Sequence, residues 1–222
     1  MKEYDVIVIG GGPAGLLAAG RAAEKGSKVL VLEKMRHEGR KLLITGKGRC
    51  NITNNAPISE FIKHVYPNGR FLRNAFSQFF SKDIIELLQK HGVKVTLERG
   101  GRFFPESNKS ADVLKALLKW ISELNVEIRC GEKVEMVATE NNIVTGVISN
   151  GQLLKGKRVI IATGGKSYPA TGATGDGYEL AKQLGHAVKP AYPALVPLVT
   201  EGNVAQKLQG LNLKNVKAVI WV

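Results

Sequence analysis

Residues 4–34 read YDVIVIGGGPAGLLAAGRAAEKGSKVLVLEK, a strand, a glycine turn, a helix and a second strand tipped by an acid. Residues 6–9 are a short β-branched run suited to a buried parallel strand, and the run ends in Gly10-Gly11-Gly12-Pro13-Ala14-Gly15, a Gly-x-Gly-x-x-Gly. Gly10 permits the sharp bend, Gly12 lets the main chain approach a pyrophosphate, and Gly15 lets the following helix pack closely on the strand. Pro13 falls where the helix begins, a position that needs no N–H, and the remaining first-turn N–H groups and the helix dipole favour an anion. Residues 28–32 supply the second strand. Glu33 then stands about twenty residues beyond the first glycine, where a carboxylate accepts hydrogen bonds from a ribose and disfavours a 2′-phosphate. Glycine turns between strand and helix also serve packing alone. Here Ala19 and Gly26 allow close helix–sheet approach, Val29 points into the core and the acid is in register, so the stretch reads as a dinucleotide site.

Composition bounds the rest. A chain of 222 residues, 44% hydrophobic, supports one substantial core and part of a second domain. Cys50 and Cys130 form no Cys-x-x-Cys pair, and the four histidines have no metal-ligand spacing, so no metal site is expected. The start MKEYDVIVIG reads as neither signal peptide nor membrane span, and no later run approaches the length of a span, which makes the cytoplasm the expected location. Lys and Arg number 32 against 19 Asp and Glu, a formal net charge of +13 that exceeds the need of one pyrophosphate. The excess is either a solvated cationic surface or the footprint of an acidic partner such as a nucleic acid.

Along the chain the elements alternate as an α/β domain requires. KMRHEGRKLLITGKGRCNITNN, residues 34–55, sustains no hydrophobic period and reads as a long loop with a short helical turn. Residues 71–79 and 81–91 read as amphipathic helices, 94–98 as a strand, and Ser110 as the cap of a helix running to about Leu124. The stripes Phe71, Phe76, Phe79 and Leu114, Leu117, Leu118, Ile121 have helical spacing and are expected in the core, as is Trp120. Residues 133–139, 143–149 and 152–155, separated by Asn141-Asn142 and Asn150-Gly151, form a three-stranded antiparallel meander. Residues 158–163 return to an apolar strand ending in Ala162-Thr163-Gly164-Gly165, where small residues permit a ligand to come close. The fold class expected is α/β, a Rossmann-like domain with a parallel sheet plus the meander, spanning 1–190. Residues 191–222 are expected to begin a second, β-rich domain. A plain NAD-binding Rossmann dehydrogenase is disfavoured, because the meander and the ATGG return do not belong to that simpler fold.

The fingerprint, the meander and VIIATGG together resemble the glutathione-reductase-like flavoproteins with two dinucleotide-binding domains. GRKLLITGKGRCNITN at 39–54, GRFFPESNKSADVLKAL at 101–117 and ATGGKSYPATGATGDGYELAKQLGHAV at 162–188 narrow this, and the chain resembles the BaiN/RdsA family of FAD-dependent oxidoreductases along essentially its whole length. The resemblance implies FAD as the resident cofactor and NADH or NADPH as a transient donor. It also implies hydride transfer through flavin N5 and reduction of a carbon–carbon double bond, in a steroid-like bile-acid intermediate or in uridine of ribosomal RNA. The charge leans towards RNA. Family members are about twice as long and return to the FAD sheet after a second domain. The expectations from that length are weak FAD retention, self-association through residues after about Pro193, and, as an alternative, a nucleotide-binding module without turnover of its own.

By the same resemblance Gly10, Gly12, Pro13, Ala14 and Gly15 hold the pyrophosphate, Glu33 the adenosine ribose, and Lys34 lies beside the adenine. Arg40 and Lys41 lie near the adenosine or phosphates, and Val134 offers backbone bonds to the adenine. Gly46, Gly48, Arg49, Cys50 and Asn51 approach the flavin ring, Ala162, Thr163 and Gly164 let the cofactor come close, and Thr174, Gly175 and Asp176 contact flavin or substrate. Arg49 is read either as the cation that stabilises a reduced flavin or as a solvated loop charge. Cys50 is read either as a nucleophile whose pKa the neighbouring Arg49 lowers or as packing beside the flavin. Cys130 is expected as buried filler, and Asp176 as the N-cap of a helix over 178–184. Tyr168 and His186 have acid–base chemistry and equally ordinary structural readings.

Overall fold

In the computed structural model, residues 2–193 and 201–211 are described. The chain divides into two units, Met1–Val188 and Lys189–Val222. The first unit runs β1 (Glu3–Tyr4), β2 (Val6–Ile9), α1 (Pro13–Glu24), β3 (Val29–Glu33), α2 (Arg40–Ile44), a 3-10 turn over Thr45–Gly48, β4 (Thr53–Asn54) and α3 (Ile58–Lys63). It continues through a second 3-10 turn (Gly69–Leu72), α4 (Arg73–Gln78), α5 (Ser81–Lys90), β5 (Val95–Glu98), β6 (Arg102–Pro105), α6 (Ser110–Glu123) and β7 (Glu127–Cys130). The meander β8 (Val134–Glu140), β9 (Ile143–Ser149) and β10 (Gln152–Gly156) follows, then β11 (Val159–Ile161), a third 3-10 turn (Pro169–Thr171) and α7 (Asp176–Gln183). In the second unit, α8 covers Val204–Lys207. The expected β-rich segment and its self-association fall largely on 194–200 and 212–222, outside the described residues.

The period of two along β2 and β3 builds the layers. Four parallel strands lie in the order β11-β2-β3-β7, with Ile9 paired to Leu32 and Glu33 to Cys130. Val6, Val8, Val29 and Val31 turn to one face, where they meet Ala19 of α1. Ile7, Ile9, Leu30 and Leu32 turn to the other and pack on Val134, Val137 and Val147 of the meander and Leu180 of α7. Behind α1, Leu16 joins Leu88 of α5 and Val113, Leu117, Trp120 and Ile121 of α6. Leu16 is fully buried, which stabilises the unit by about 1.5–3 kcal/mol. Trp120 lies directly over Gly20, and its indole N–H donates to Glu24 at 3.2 Å, so α1 and α6 meet along a face that admits no side chain at position 20.

Several local expectations are corrected. Residues 71–79 are a 3-10 turn followed by the short α4, and Phe71 is exposed; only Phe76 and Phe79 of that stripe are partly buried. Ser110 is the first helical residue of α6, preceded by Lys109 as cap, and its hydroxyl donates to the Leu43 carbonyl at 2.8 Å, tying α6 to the end of α2. The loop over 34–55 contains α2, the first 3-10 turn and β4, the last being an edge of a three-stranded sheet β4-β6-β5.

Where β1 meets β7, Lys2, Tyr4 and Arg129 converge on Glu127, with the Tyr4 hydroxyl at 2.8 Å and Arg129 Nε at 2.9 Å. Burial pushes the Glu127 carboxyl up, but hydrogen bonds from Lys2, Tyr4 and Arg129 outweigh it and hold it at about 2, below its ordinary 4.5. A carboxyl depressed in the folded state contributes stability above its unfolded pKa and loses it as pH falls through the folded one. Glu127→Gln should therefore lower the melting temperature at neutral pH. The gap to the parent protein should close as pH falls from 4.5 towards 2. Thermal melts across that range check it, and a pH-independent gap would contradict the assignment.

Candidate functional site

The carboxyl ends of β2, β3 and β11 open onto one cavity of about 260 Å3, the place where open α/β sheets bind ligands. The turn after β2 forms its floor. A Cβ on Gly10, whose φ is +109°, would lie 2.6 Å from the Ala162 carbonyl oxygen, and one on Gly15 would lie 1.9 Å from the Gly10 carbonyl oxygen. Both positions are closed to any side chain. A Cβ on Gly12 would meet nothing within 4 Å, so the space in front of it is open cavity. Pro13 and Ala14 continue the floor, and the first-turn N–H groups of Ala14 and Gly15 have no intrahelical acceptor.

Glu33 stands at the rim. Its Oε2 accepts from the Gly11 N–H at 2.7 Å and its Oε1 from the Met35 N–H at 2.8 Å, which fixes the carboxylate while each oxygen retains a further acceptor site. Lys34 crosses to the far wall, where its ammonium donates to Asp176 at 2.6 Å and to Thr174 at 2.5 Å. Burial raises the Asp176 carboxyl, but the bonds from Lys34 and Thr174 and the Lys34 charge dominate and hold it below the ordinary carboxylate range. Asp176 is thus the first residue of α7 and an ion-pair partner, correcting its expected capping role; the cap position is taken by Gly175, in the left-handed region at φ +87°.

Of the residues singled out in the sequence, Gly10, Gly12, Pro13, Ala14, Glu33, Lys34, Arg40, Lys41, Val134, Ala162, Thr163, Gly164 and Asp176 line this cavity. Gly15 lies beneath it, and Thr174 reaches it through Lys34. Sequence reasoning missed His37, Gly39, Glu132, Lys133, Thr171, Gly172, Ala173 and Leu180. A signal existed for some: pairing β3 with the EIRC strand sets residues 132–134 beside Glu33, and the Glu132 N–H does donate to the Glu33 carbonyl at 2.9 Å.

Gly46, Gly48, Arg49, Cys50 and Asn51 do not line the cavity. They form a loop in which Gly46, Lys47, Gly48 and Cys50 all have φ between +55° and +84°, a strained path for the two non-glycine residues. Arg49 anchors it: the guanidinium bonds Glu98, donates to Asn108 at 2.7 Å and lies 4.2 Å from the Phe104 ring centroid. Arg49 therefore does not activate Cys50, which counts against the nucleophile reading. That thiol is buried, and burial pushes its pKa up.

Cys130 is corrected too. The residue is exposed at the end of β7 while its sulfur is partly buried against Glu38, to which the thiol donates at 3.2 Å; that partial burial, the hydrogen bond and the nearby negative charge push it up to about 11. Iodoacetamide at pH 8 should therefore label Cys130 slowly and Cys50 only in denaturant, and Glu38→Gln should speed labelling of Cys130. Mass spectrometry of the labelled peptides reads this, and rapid labelling of the native protein at neutral pH would contradict it. Among the described residues, no cluster of His, Cys, Asp and Glu could hold a metal ion, and no helix is long and apolar enough to cross a membrane.

The match that decides kinship spans residues 4–219 and is to the HI0933-like protein Rossmann domain. The chain belongs to the HI0933-like Rossmann family. Within reach of this HI0933-like chain, the 3-dehydro-bile acid delta(4,6)-reductase of Clostridium scindens is 35% identical over 92% of the chain and 49% of the relative. The ribosomal RNA dihydrouridine synthase of Escherichia coli is 32% identical over 99% of the chain and 54% of the relative. The HI0933-like chain thus spans about half the length of these curated relatives. Its fold, a Rossmann-like α/β domain with parallel and antiparallel sheets, is shared with a flavocytochrome c3 fumarate reductase in the open conformation. That likeness has a TM-score of 0.63 at 22% identity, over 82% of this chain and 40% of that one.

Proposed function

We propose that this chain is the nucleotide-binding half of an FAD-dependent oxidoreductase that reduces a carbon–carbon double bond with NADH or NADPH as donor. The observation that carries the reading is the Glu33 carboxylate, fixed by the Gly11 and Met35 N–H groups at the rim of the open Gly12 cradle. The residues fit FAD in chemistry: acceptor sites for two ribose hydroxyls, a carboxylate whose charge repels a 2′-phosphate, and free helix N–H groups for a pyrophosphate. A cavity of about 260 Å3 suits the adenosine end of the cofactor. Arg40 and Lys41 would flank the phosphates, Ala162, Thr163 and Gly164 would line their approach beside the Gly10 turn, Val134 would flank the adenine, and Gly46, Gly48, Arg49, Cys50 and Asn51 with Thr174 and Gly175 the flavin end. FAD, when bound, supplies two-electron transfer at ring N5. The protein's share is to hold the ribose at Glu33, to keep the Gly12 cradle clear, and to fix the Lys34–Asp176 pair in the wall.

The relatives' names point to a bile-acid-like steroid and to uridine in ribosomal RNA as substrate classes. The net charge of +13 favours RNA, because phosphate neutralisation rewards an extended basic surface and a steroid does not. The cytoplasm is the location this reading assigns. A second reading, a nucleotide-binding module without turnover of its own, is favoured by the cavity lining, which takes in none of Gly46, Gly48, Arg49, Cys50 and Asn51.

An absorbance spectrum before and after adding FAD and removing the excess tests the cofactor; a retained oxidised-flavin band is expected, and no band even after addition would sink the reading. Anaerobic mixing with NADH and NADPH under excess FAD separates the two readings. Bleaching of the flavin supports the reductase, and no bleaching supports the module.

A further inference from the structure

We infer that the segment around Tyr66 and Phe71 is a stacking platform for unpaired bases of RNA. Tyr66 is 94% exposed and Phe71 85% exposed, and the chain between and beside them carries Arg70, Arg73, Lys63 and His64. Arg70 and Arg73 enter no ion pair among the described residues, while the one carboxylate of α3, Glu60, is matched by Lys63 at 2.8 Å. The segment therefore offers two outward rings beside two uncommitted guanidinium groups.

Its footing is firm. Beneath it Phe61, Phe76 and Phe80 pack edge-on or tilted against one another, with ring centroids 4.9 to 5.8 Å apart. Gly69 is buried against α3 so closely that a Cβ there would lie 1.9 Å from the Ile62 carbonyl oxygen. Of the six aromatic rings between Phe61 and Phe80, three pack on one another, Phe79 is partly buried near Arg21, and two face water, and burial gives no reason for the outward two. Every base has a π-face that can stack on such a ring, and arginine neutralises the neighbouring phosphates. A duplex hides its base faces, so the chemistry selects a single strand or a loop. Charge complementarity with a polyanion decides this occupant over a protein partner. The inference rests on RNA as the substrate class of the proposed reductase.

Fluorescence anisotropy of a labelled single-stranded oligouridylate, beside a duplex RNA of the same length, tests it on the 222-residue chain. The single strand should bind more tightly than the duplex. Tyr66→Ala with Phe71→Ala should weaken it at least about fivefold, the lower bound for losing one stacked base, while Tyr66→Phe keeps the parent affinity. Arg70→Ala with Arg73→Ala should lower the slope of log affinity against log salt by about 1.4. Unchanged affinity without the two rings, or equal binding of duplex and single strand, would overturn the platform; the exposed rings would then be a protein contact. Flavin absorbance of the same samples keeps the two ideas apart. FAD retained with RNA binding absent sinks only the platform, and RNA bound with FAD absent sinks only the flavoenzyme.

Discussion

Gly15→Ala should cost the nucleotide-binding unit about 3 kcal/mol or more, the top of the range for forcing atoms into a packed interior. The added methyl would lie 1.9 Å from the Gly10 carbonyl oxygen, and no rotamer change relieves a clash between two backbones. Either α1 lifts from β2 or the turn opens. For a domain of this size that corresponds to a fall in melting temperature of roughly 6–12 °C, with flavin retention lost as the turn deforms. Gly12→Ala gives the opposite pairing. Its Cβ meets nothing within 4 Å and its φ of −78° suits alanine, so the melting temperature should shift by no more than about 0.5 kcal/mol allows. The methyl would occupy the cradle, and FAD retention should fall more than about tenfold, since a bound group loses its close approach to the backbone. Melts and flavin absorbance on both variants check the pair. Full FAD retention by Gly12→Ala would remove the cradle from the phosphate site.

Glu33→Ala carries the second large effect. It removes two charge-assisted acceptors from the Gly11 and Met35 N–H groups and, on the proposed reading, the two that a ribose would use. Hydrogen bonds to a charged group are worth about 1.5–3 kcal/mol each, so the two ribose bonds alone predict at least about a hundredfold loss of FAD affinity. Glu33→Gln is not a mild alternative. Its amide presents a donor to one of two N–H donors that now meet a carboxylate, so either Gly11 or Met35 is left facing a like group. Fluorescence titration of FAD measures both, and a change under about threefold would show that the carboxylate serves the turn alone.

The segment 4–34 was legible because its information is local: strand period, glycine spacing and the in-register acid all lie within one βαβ unit. The meander was legible for the same reason, with Asn141, Asn142, Asn150 and Gly151 all at positive φ where turns were read. Phe71 and Cys130 were misread because burial is a tertiary property, and of the two readings of Cys50 the structure favours a buried, packed thiol over a nucleophile. Phe71 has helical spacing but sits in a 3-10 turn facing water. Cys50 follows a cation that turns away to Glu98, and Cys130 ends a strand at its open edge. The cavity wall followed the same rule. Glu33 could be placed from spacing, whereas the partnership of Lys34 with Asp176 required the fold.

That partnership orders events in time as well as in space. Lys34 and Asp176 are 142 residues apart, and the wall they close needs β11 and the start of α7 beside a turn made near the amino terminus. During synthesis the βαβ unit can form early, but the cavity acquires its second side only after residue 176 has left the ribosome. A nascent chain shorter than that carries the glycine turn and the Glu33 carboxylate without the enclosure, so the cavity is completed only when both ends of this span have been made.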